Sequence, residues 1–581
     1  MRKWIIASAL ASSAPALAAP ADDLKRVIDD HWAWSLRENP IQATVLGVRD
    51  YDSQIGDISL AAADRRVADE RAFLARLDAI SAAGLSPADR TNQSILKRML
   101  AEDIEANGFG QRMILYSNTD GWHQQVAGLA YFVPLRTRAD YASYLARIGQ
   151  YAKLNDEALA ITRRATSEGY VLPCEVMGGF EGTISGVIAD DPTQSRTYEP
   201  FTRAKPADAT AAEWQAMQAQ ARAIVADQIN PALKKQLAAY RADVAPKCAK
   251  AVGVSAQPRG KDYYNFRIRQ MTTTDLDADQ IHALGLKEVA RIRRDMEAVA
   301  KKAGFASREA FIQDLRTNPK YYAKTPEELM MAVARLNKEV DGKMPGLFVR
   351  LPRLPYGIRE IPKETAEGTT TAYYFPGSAE SGIAGTYYVN TSKLDQRPLW
   401  EIPALSVHEA VPGHHHQLAL QQEVELPNFR KHLAFFTAFI EGWGLYSESL
   451  GEEMGLYDTP AKEMGKLSYQ MWRACRLVVD TGLHAKNWSK QQAIAYMRDN
   501  SALTDANIEA EVNRYIATPG QALAYKIGEL KIQELRARAT KELGKKFDLR
   551  RFHDAVLGQG AVPLDVLERQ VDDWIAVEQR S

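Results

Sequence analysis

Leu433-Ala-Phe-Phe-Thr-Ala-Phe-Ile440 runs directly into Glu441-Gly-Trp-Gly-Leu-Tyr-Ser-Glu448, and this stretch decides the architecture. Apolar residues surround its first half on every side, the pattern of a helix buried inside a large protein. A carboxylate within such a helix is costly unless it is paired or binds a metal. The sequence therefore predicts a helical core in which Glu441 meets a specific partner. Gly442 and Gly444 weaken the helix but admit close approach of another backbone. Glu448 lies two turns after Glu441, on the same face, and can orient a neighbouring ligand.

A partner for Glu441 stands upstream. The chain has ten histidines, and four of them fall between His408 and His416. In His408-Glu409-Ala-Val-Pro412-Gly413-His414-His415-His416 the glutamate after the first histidine follows H-E-x-x-H, in which two histidines one turn apart share a metal and the glutamate acts as base. Here Pro412 occupies the place of the second histidine. On a straight helix, residues six apart are rotated by about 240° and residues seven apart are separated by about 10 Å of rise. Zinc–nitrogen bonds of about 2.0–2.1 Å allow neither pair to chelate one ion without a bend. Pro412 has no N–H for the His408 carbonyl, and Gly413 permits backbone angles that other residues avoid. A bulged turn would then swing a later histidine back beside His408, with His414 favoured, His415 second and His416 last. The expected centre is one zinc per chain on His408, His414 and Glu441, with Glu409 as base. His415 and Glu448 are its alternative or supporting groups.

Outward from this centre the chain reads as mainly helical. Apolar positions recur at three- and four-residue steps over residues 61–80, 207–240, 277–303, 326–340 and 522–543. Residues 171–186, 343–357 and 374–385 concentrate Gly and Pro and read as connections. Strand character is confined to residues 369–375 and 386–391, a small sheet just before the histidine cluster. It serves either as an edge that pairs with a substrate backbone or as a structural hairpin. Tyr388 within it is a candidate substrate contact.

The ends and the composition bound the rest. Arg2 and Lys3, the apolar residues that follow and Ala16-Leu17-Ala18 make residues 1–18 a signal peptide. The expected mature chain, 19–581, is one helical domain with its site mainly within 370–530, exported and periplasmic. No cysteine follows the cut, so a lipid anchor is not indicated, and no later run is long enough to span a bilayer. Lys+Arg and Asp+Glu number 73 each, so no global field favours nucleic acid. Cys174, Cys248 and Cys475 make no framework; a Cys174–Cys248 bridge and buried free thiols both remain open. The absence of a G-x-S-x-G elbow argues against a serine hydrolase.

With these residues in view, the chain resembles a bacterial family catalogued as domain of unknown function 885. The resemblance rests on His408-Glu-Ala-Val-Pro-Gly-His-His415 and Glu441-Gly-Trp-Gly-Leu-Tyr-Ser-Glu448. It continues through Asp480-Thr-Gly-Leu-His484, Arg514-Tyr515 and Pro519-Gly-Gln-Ala, and covers most of the mature chain. It implies a large two-lobed helical body around a cleft, similar to zinc peptidases with a glutamate ligand, and the metal and base positions already named. His484 and Tyr515 are then expected to assist catalysis, with Asp480 placed to orient His484. Arg514 and Tyr525 are expected to grip a substrate carboxylate or a developing oxyanion. The expected function is zinc-dependent hydrolysis of a peptide or small amide. Its rivals are an amidase or esterase on other substrates and a non-catalytic periplasmic binding protein.

Overall fold

The computed structural model describes residues 20–366, 369–379 and 382–580, without the side chains of 364 and 365. The expected signal peptide, residues 1–18, lies outside them. The body is mainly helical with one small sheet. Local chemistry sets the helix ends. Asp277 and Gln280 form a reciprocal capping box at the start of Ala278–Lys302, which satisfies two of the amides that a helix start leaves bare. Thr325 caps Pro326–Asp341, with proline where a missing N–H costs nothing.

The helical reading of 207–240 needs a correction. Thr210 and Glu213 cap a helix that starts at Ala211. The helical path then widens into π-turns at Val225–Ile229 and Tyr240–Val244. Pro231 and Pro246 each follow two residues after such a turn. A proline cannot donate to the i−4 carbonyl, so the hydrogen-bond ladder shifts ahead of it.

Three strands form the sheet: β1 (Tyr356–Glu360), β2 (Ala372–Phe375) and β3 (Gly385–Val389), in the order β1-β3-β2. β2 runs antiparallel to β3, with Tyr373 opposite Tyr388. β1 pairs parallel to β3, with Tyr356 opposite Gly385. β1 falls partly in the 343–357 stretch read as a connection, because Gly and Pro there outweigh its short apolar alternation.

Two hydrophobic cores fill the body. One gathers Tyr144, Phe201, Ile292, Tyr387, Leu405, Met471 and Val478. The other gathers Ile95, Tyr264, Val407, Trp443, Leu477, Ile532 and Phe552. The helices Ile402–Glu409 and Pro460–Ala485 contribute side chains to both and so lie where the cores meet. The apolar stretch that opens at Leu433 becomes helical only at Thr437, after the short helix Asn428–His432 ends, and Phe435 is left 66% exposed. From there Thr437–Ser449 packs backbone to backbone on Ala524–Leu543. A Cβ on Gly442 would lie 2.6 Å from the Gly528 Cα, and one on Gly528 would lie 1.8 Å from the Ala438 oxygen.

Cys174 and Cys248 are joined in a disulfide, while Cys475 is a buried free thiol. Among the described residues no helix is long and apolar enough to cross a membrane.

Candidate metal centre

The Ile402–Glu409 helix carries His408 near its last turn and stops at Glu409. The backbone turns through a cis Val411–Pro412 bond, and a new helix, His414–Glu423, starts at once. This is a full break between two helices, not a bulge within one. Gly413 is needed there for space, since a Cβ would sit 1.9 Å from the His408 carbonyl oxygen. Trp443, on the Glu441 helix, donates its indole N–H to the Pro412 carbonyl at 2.8 Å. The break brings the His408 and His414 rings to 4.7 Å, nearly perpendicular.

Glu441 completes the group. Its Oε2 lies 3.6 Å from His408 Nε2 and 3.4 Å from His414 Nε2. One ligand atom from each of the three residues lies within 4.8 Å of the others. A tetrahedral ion with bonds of about 2.0–2.1 Å places its ligand atoms about 3.3–3.4 Å apart, so the spacing fits a zinc-sized ion. The donor set, two imidazoles and a carboxylate, fits the same ion. Side-chain exposure is 3% for His408, 11% for His414 and 16% for Glu441, so the group is enclosed yet open on one side. Gly444 makes room beneath it, since a Cβ there would lie 2.9 Å from His408 Nε2 and 3.2 Å from His414 Cε1. Burial opposes the charge on Glu441, but the facing His414 and His408 rings hold its carboxyl well below the ordinary range.

His408 Nδ1 donates to Glu448 at 2.8 Å, which orients the ring with Nε2 toward Glu441. Glu448 is fully buried and paired with Arg473 at 3.2 Å. Burial opposes protonation of His408, yet Glu441 and Glu448 raise its pKa to about 9. Glu409 is half-buried next to the ligand, and no described protein group hydrogen-bonds its carboxylate.

His415 and His416 take other places. His415 Nε2 donates to the Leu354 carbonyl at 3.0 Å, and Nδ1 accepts from the Tyr374 hydroxyl at 2.9 Å. It ties the second histidine helix to the sheet, and burial lowers its pKa to about 4. His416 packs against Phe348, with ring centroids 4.2 Å apart.

Three expected helpers have their polar atoms engaged elsewhere, and a fourth expected residue, Tyr388, lies on the sheet. His484 has no free nitrogen: Nδ1 accepts from the Val254 N–H at 3.1 Å, and Nε2 donates to the Tyr515 carbonyl at 3.0 Å. Asp480 does not orient it; its carboxylate accepts from the Tyr264 hydroxyl at 2.7 Å and from the Gly520 N–H at 3.1 Å. The Tyr515 hydroxyl is saturated, accepting from Trp472 and Arg476 and donating to Glu511. Tyr388 stacks on Tyr373 at 5.0 Å. Its neighbour Tyr387 points the other way, as alternate strand residues must, is fully buried, and sits near enough to Glu409 for that charge to add to the rise in its phenol pKa, after burial.

Tyr525 lies close to the centre. Burial first, then the Glu441 charge, raises the Tyr525 phenol. Arg514 is held on Glu511 and keeps 30% of its side chain exposed. Sequence reasoning passed over Arg473, Arg476 and Glu511. Arg473 and Arg476 lie one turn apart in the apolar run Trp472-Arg-Ala-Cys-Arg-Leu-Val-Val479. That is the same signal, a charge within a buried helix, that singled out Glu441.

The profile of a family described as "Bacterial protein of unknown function (DUF885)" matches residues 40–571. No curated protein matches the chain. Among solved structures, a candidate lipoprotein from Colwellia psychrerythraea is 28% identical and superposes with a TM-score of 0.88, over 97% of this chain and 100% of that one. A candidate lipoprotein of unknown function from Shewanella oneidensis is 20% identical with a TM-score of 0.73, over 95% and 99% of the two chains. The second likeness concerns the fold alone.

Proposed function

The chain belongs to the DUF885 family, and from that premise we propose that it is an exported zinc-dependent hydrolase that cleaves peptide bonds. Family membership assigns no activity. The observation that supports the reading is the spacing of His408 Nε2, His414 Nε2 and Glu441 Oε2 beside an uncommitted Glu409. Zinc at such a site supplies a Lewis acid and brings a water close to neutral ionisation. The Glu409 carboxylate, bonded to no described protein group, takes the proton of the attacking water and returns it to the leaving amine. Glu448 and Arg473 hold the His408 ring in place. A purely structural site needs no base beside its ligands, which sets this reading above a binding protein.

Export is supported by the basic, apolar and small-residue pattern of 1–18 and by the Cys174–Cys248 bridge, which belongs to an oxidising compartment. The similar protein from Colwellia psychrerythraea, described as a candidate lipoprotein, is consistent with it.

A peptide library read by mass spectrometry, run beside simple esters, tests the reaction. The zinc-loaded protein should cleave peptides, and Glu409→Gln should lose about 10²–10⁴ in turnover while it keeps its metal. Ordinary turnover in Glu409→Gln would remove the base from the account. Ester cleavage without peptide cleavage would move the activity to another acyl substrate.

A further inference from the structure

We propose that Arg476 and Tyr525, near Glu441, bind the free carboxylate at the end of a peptide chain, with Arg514 as the neighbouring charge, so that cleavage falls near the carboxyl end. This rests on the hydrolase reading and names its substrate class.

Arg476 carries the argument. Its side chain is 4% exposed. Nε donates to Tyr515 at 2.9 Å and Nη2 donates to Glu511 at 2.8 Å, while Nη1 has no hydrogen-bond partner. The guanidinium carbon lies 4.3 Å from the Tyr525 ring centroid and 4.6 Å from that of Trp472. Stacking occupies the faces of the guanidinium and leaves the Nη1 edge bare. A buried cationic donor without an acceptor is rare and costly, and it calls for a ligand.

The local charge is unbalanced in the same sense. Glu511 serves both Arg476 and Arg514. Asp480 is turned to Tyr264 and Gly520, with Arg267 near it. Two guanidiniums therefore pair directly with one carboxylate, and Asp480 acts on Arg514 only at longer range. Arg514 Nη1 donates to the Gln521 side-chain oxygen. The Gln521 side chain lies beside the Tyr525 hydroxyl, and among the described residues no hydrogen bond donated by that hydroxyl is found. Two uncommitted donors, one of them cationic, match the two oxygens of a carboxylate.

Position links this pair to the metal centre. Tyr525 precedes Gly528 by three residues and shares its helix face. Gly528 touches Gly442, the residue after Glu441. An anion held by Arg476 and Tyr525 therefore sits beside the metal ligands, and the peptide bond it leads to lies close to the end of the chain.

Isothermal titration calorimetry on the full mature chain, metal-free and as zinc-loaded Glu409→Gln, tests this with three probes. They are N-acetyl-Ala-Ala-Ala as the free acid, the same peptide as the amide, and N-acetyl-Ala-Ala-Glu amide, whose carboxylate is on a side chain. The free acid should bind about tenfold tighter than either amide, a difference of about 1.4 kcal/mol. Tyr525→Phe keeps the packing and should erase most of the preference. Arg476→Lys is the second variant, read only if its circular dichroism matches the parent. Equal binding of acid and amide, or a preference left intact in Tyr525→Phe, would overturn the proposal. Equal binding of the glutamate amide would overturn the chain-end assignment. Acid preference in a protein that cleaves nothing would uphold this site and reject the hydrolase. Cleavage of amidated peptides without acid preference would do the reverse.

Discussion

His414 turns Nε2 toward Glu441, while His415, the next residue, spends both ring nitrogens on Leu354 and Tyr374. A departure from straight helix at Pro412 and Gly413 was legible because it follows from backbone chemistry. The partners of a buried ring were not legible. His484 and Tyr515 look catalytic as letters in a motif, but their polar atoms are consumed by the Val254 amide, the Tyr515 carbonyl, Trp472, Arg476 and Glu511. Those partners are distant in sequence, and no local spacing announces them. One prediction belongs here. Glu448 orients the His408 ring, so Glu448→Gln should weaken zinc binding by roughly 10–100-fold, as loss of an outer hydrogen bond to a metal-binding histidine usually does. Competition with a chromogenic chelator measures it; unchanged affinity would make Glu448 a partner of Arg473 alone.

Helix positions and capping residues could be read closely for Ala278–Lys302 and Pro326–Asp341, where periodicity and caps agree. The π-turns before Pro231 and Pro246 lay beyond that reading, because helical periodicity survives a one-residue widening. β1 was lost because five residues beside Pro355 carry too short an alternation to outweigh their neighbours. Gly442 was expected to admit a backbone, and the helix it admits is Ala524–Leu543 at Gly528. That crossing lies one residue from Glu441, so it acts on both stability and the site. Gly528→Ala must push the helices apart and should cost roughly 1–3 kcal/mol, the usual range for overpacking. Urea unfolding of the metal-free protein would show it as a lower midpoint at constant slope; an unchanged midpoint would mean that the helices can separate freely.

At the scale of the molecule, composition and periodicity pointed to a mainly helical body, and two large cores meeting at Ile402–Glu409 and Pro460–Ala485 are what the chain builds. The pairing of Cys174 with Cys248 could not be chosen from three cysteines, since it depends on which loops the fold brings together. Burial also couples the fold to pH. It lowers the pKa of His31 and of His123 to about 4 and that of His553 to about 3, from an ordinary 6.5. The unfolded chain takes up these protons below 6.5, while the native chain does not until far lower pH. The stabilisation is therefore complete above that value and is lost as pH falls toward 4. His553→Gln should therefore lose less Tm than the parent between about pH 7.5 and about pH 5 in metal-free protein; an identical pH profile in the two would contradict it. The most direct test of the central claim is metal content, by inductively coupled plasma mass spectrometry, of the purified mature protein beside His414→Ala and His415→Ala. The account predicts about one zinc per chain in the parent and in His415→Ala, and none in His414→Ala. A well-folded parent without tightly held metal, or zinc that survives loss of His414 but not of His415, would contradict it.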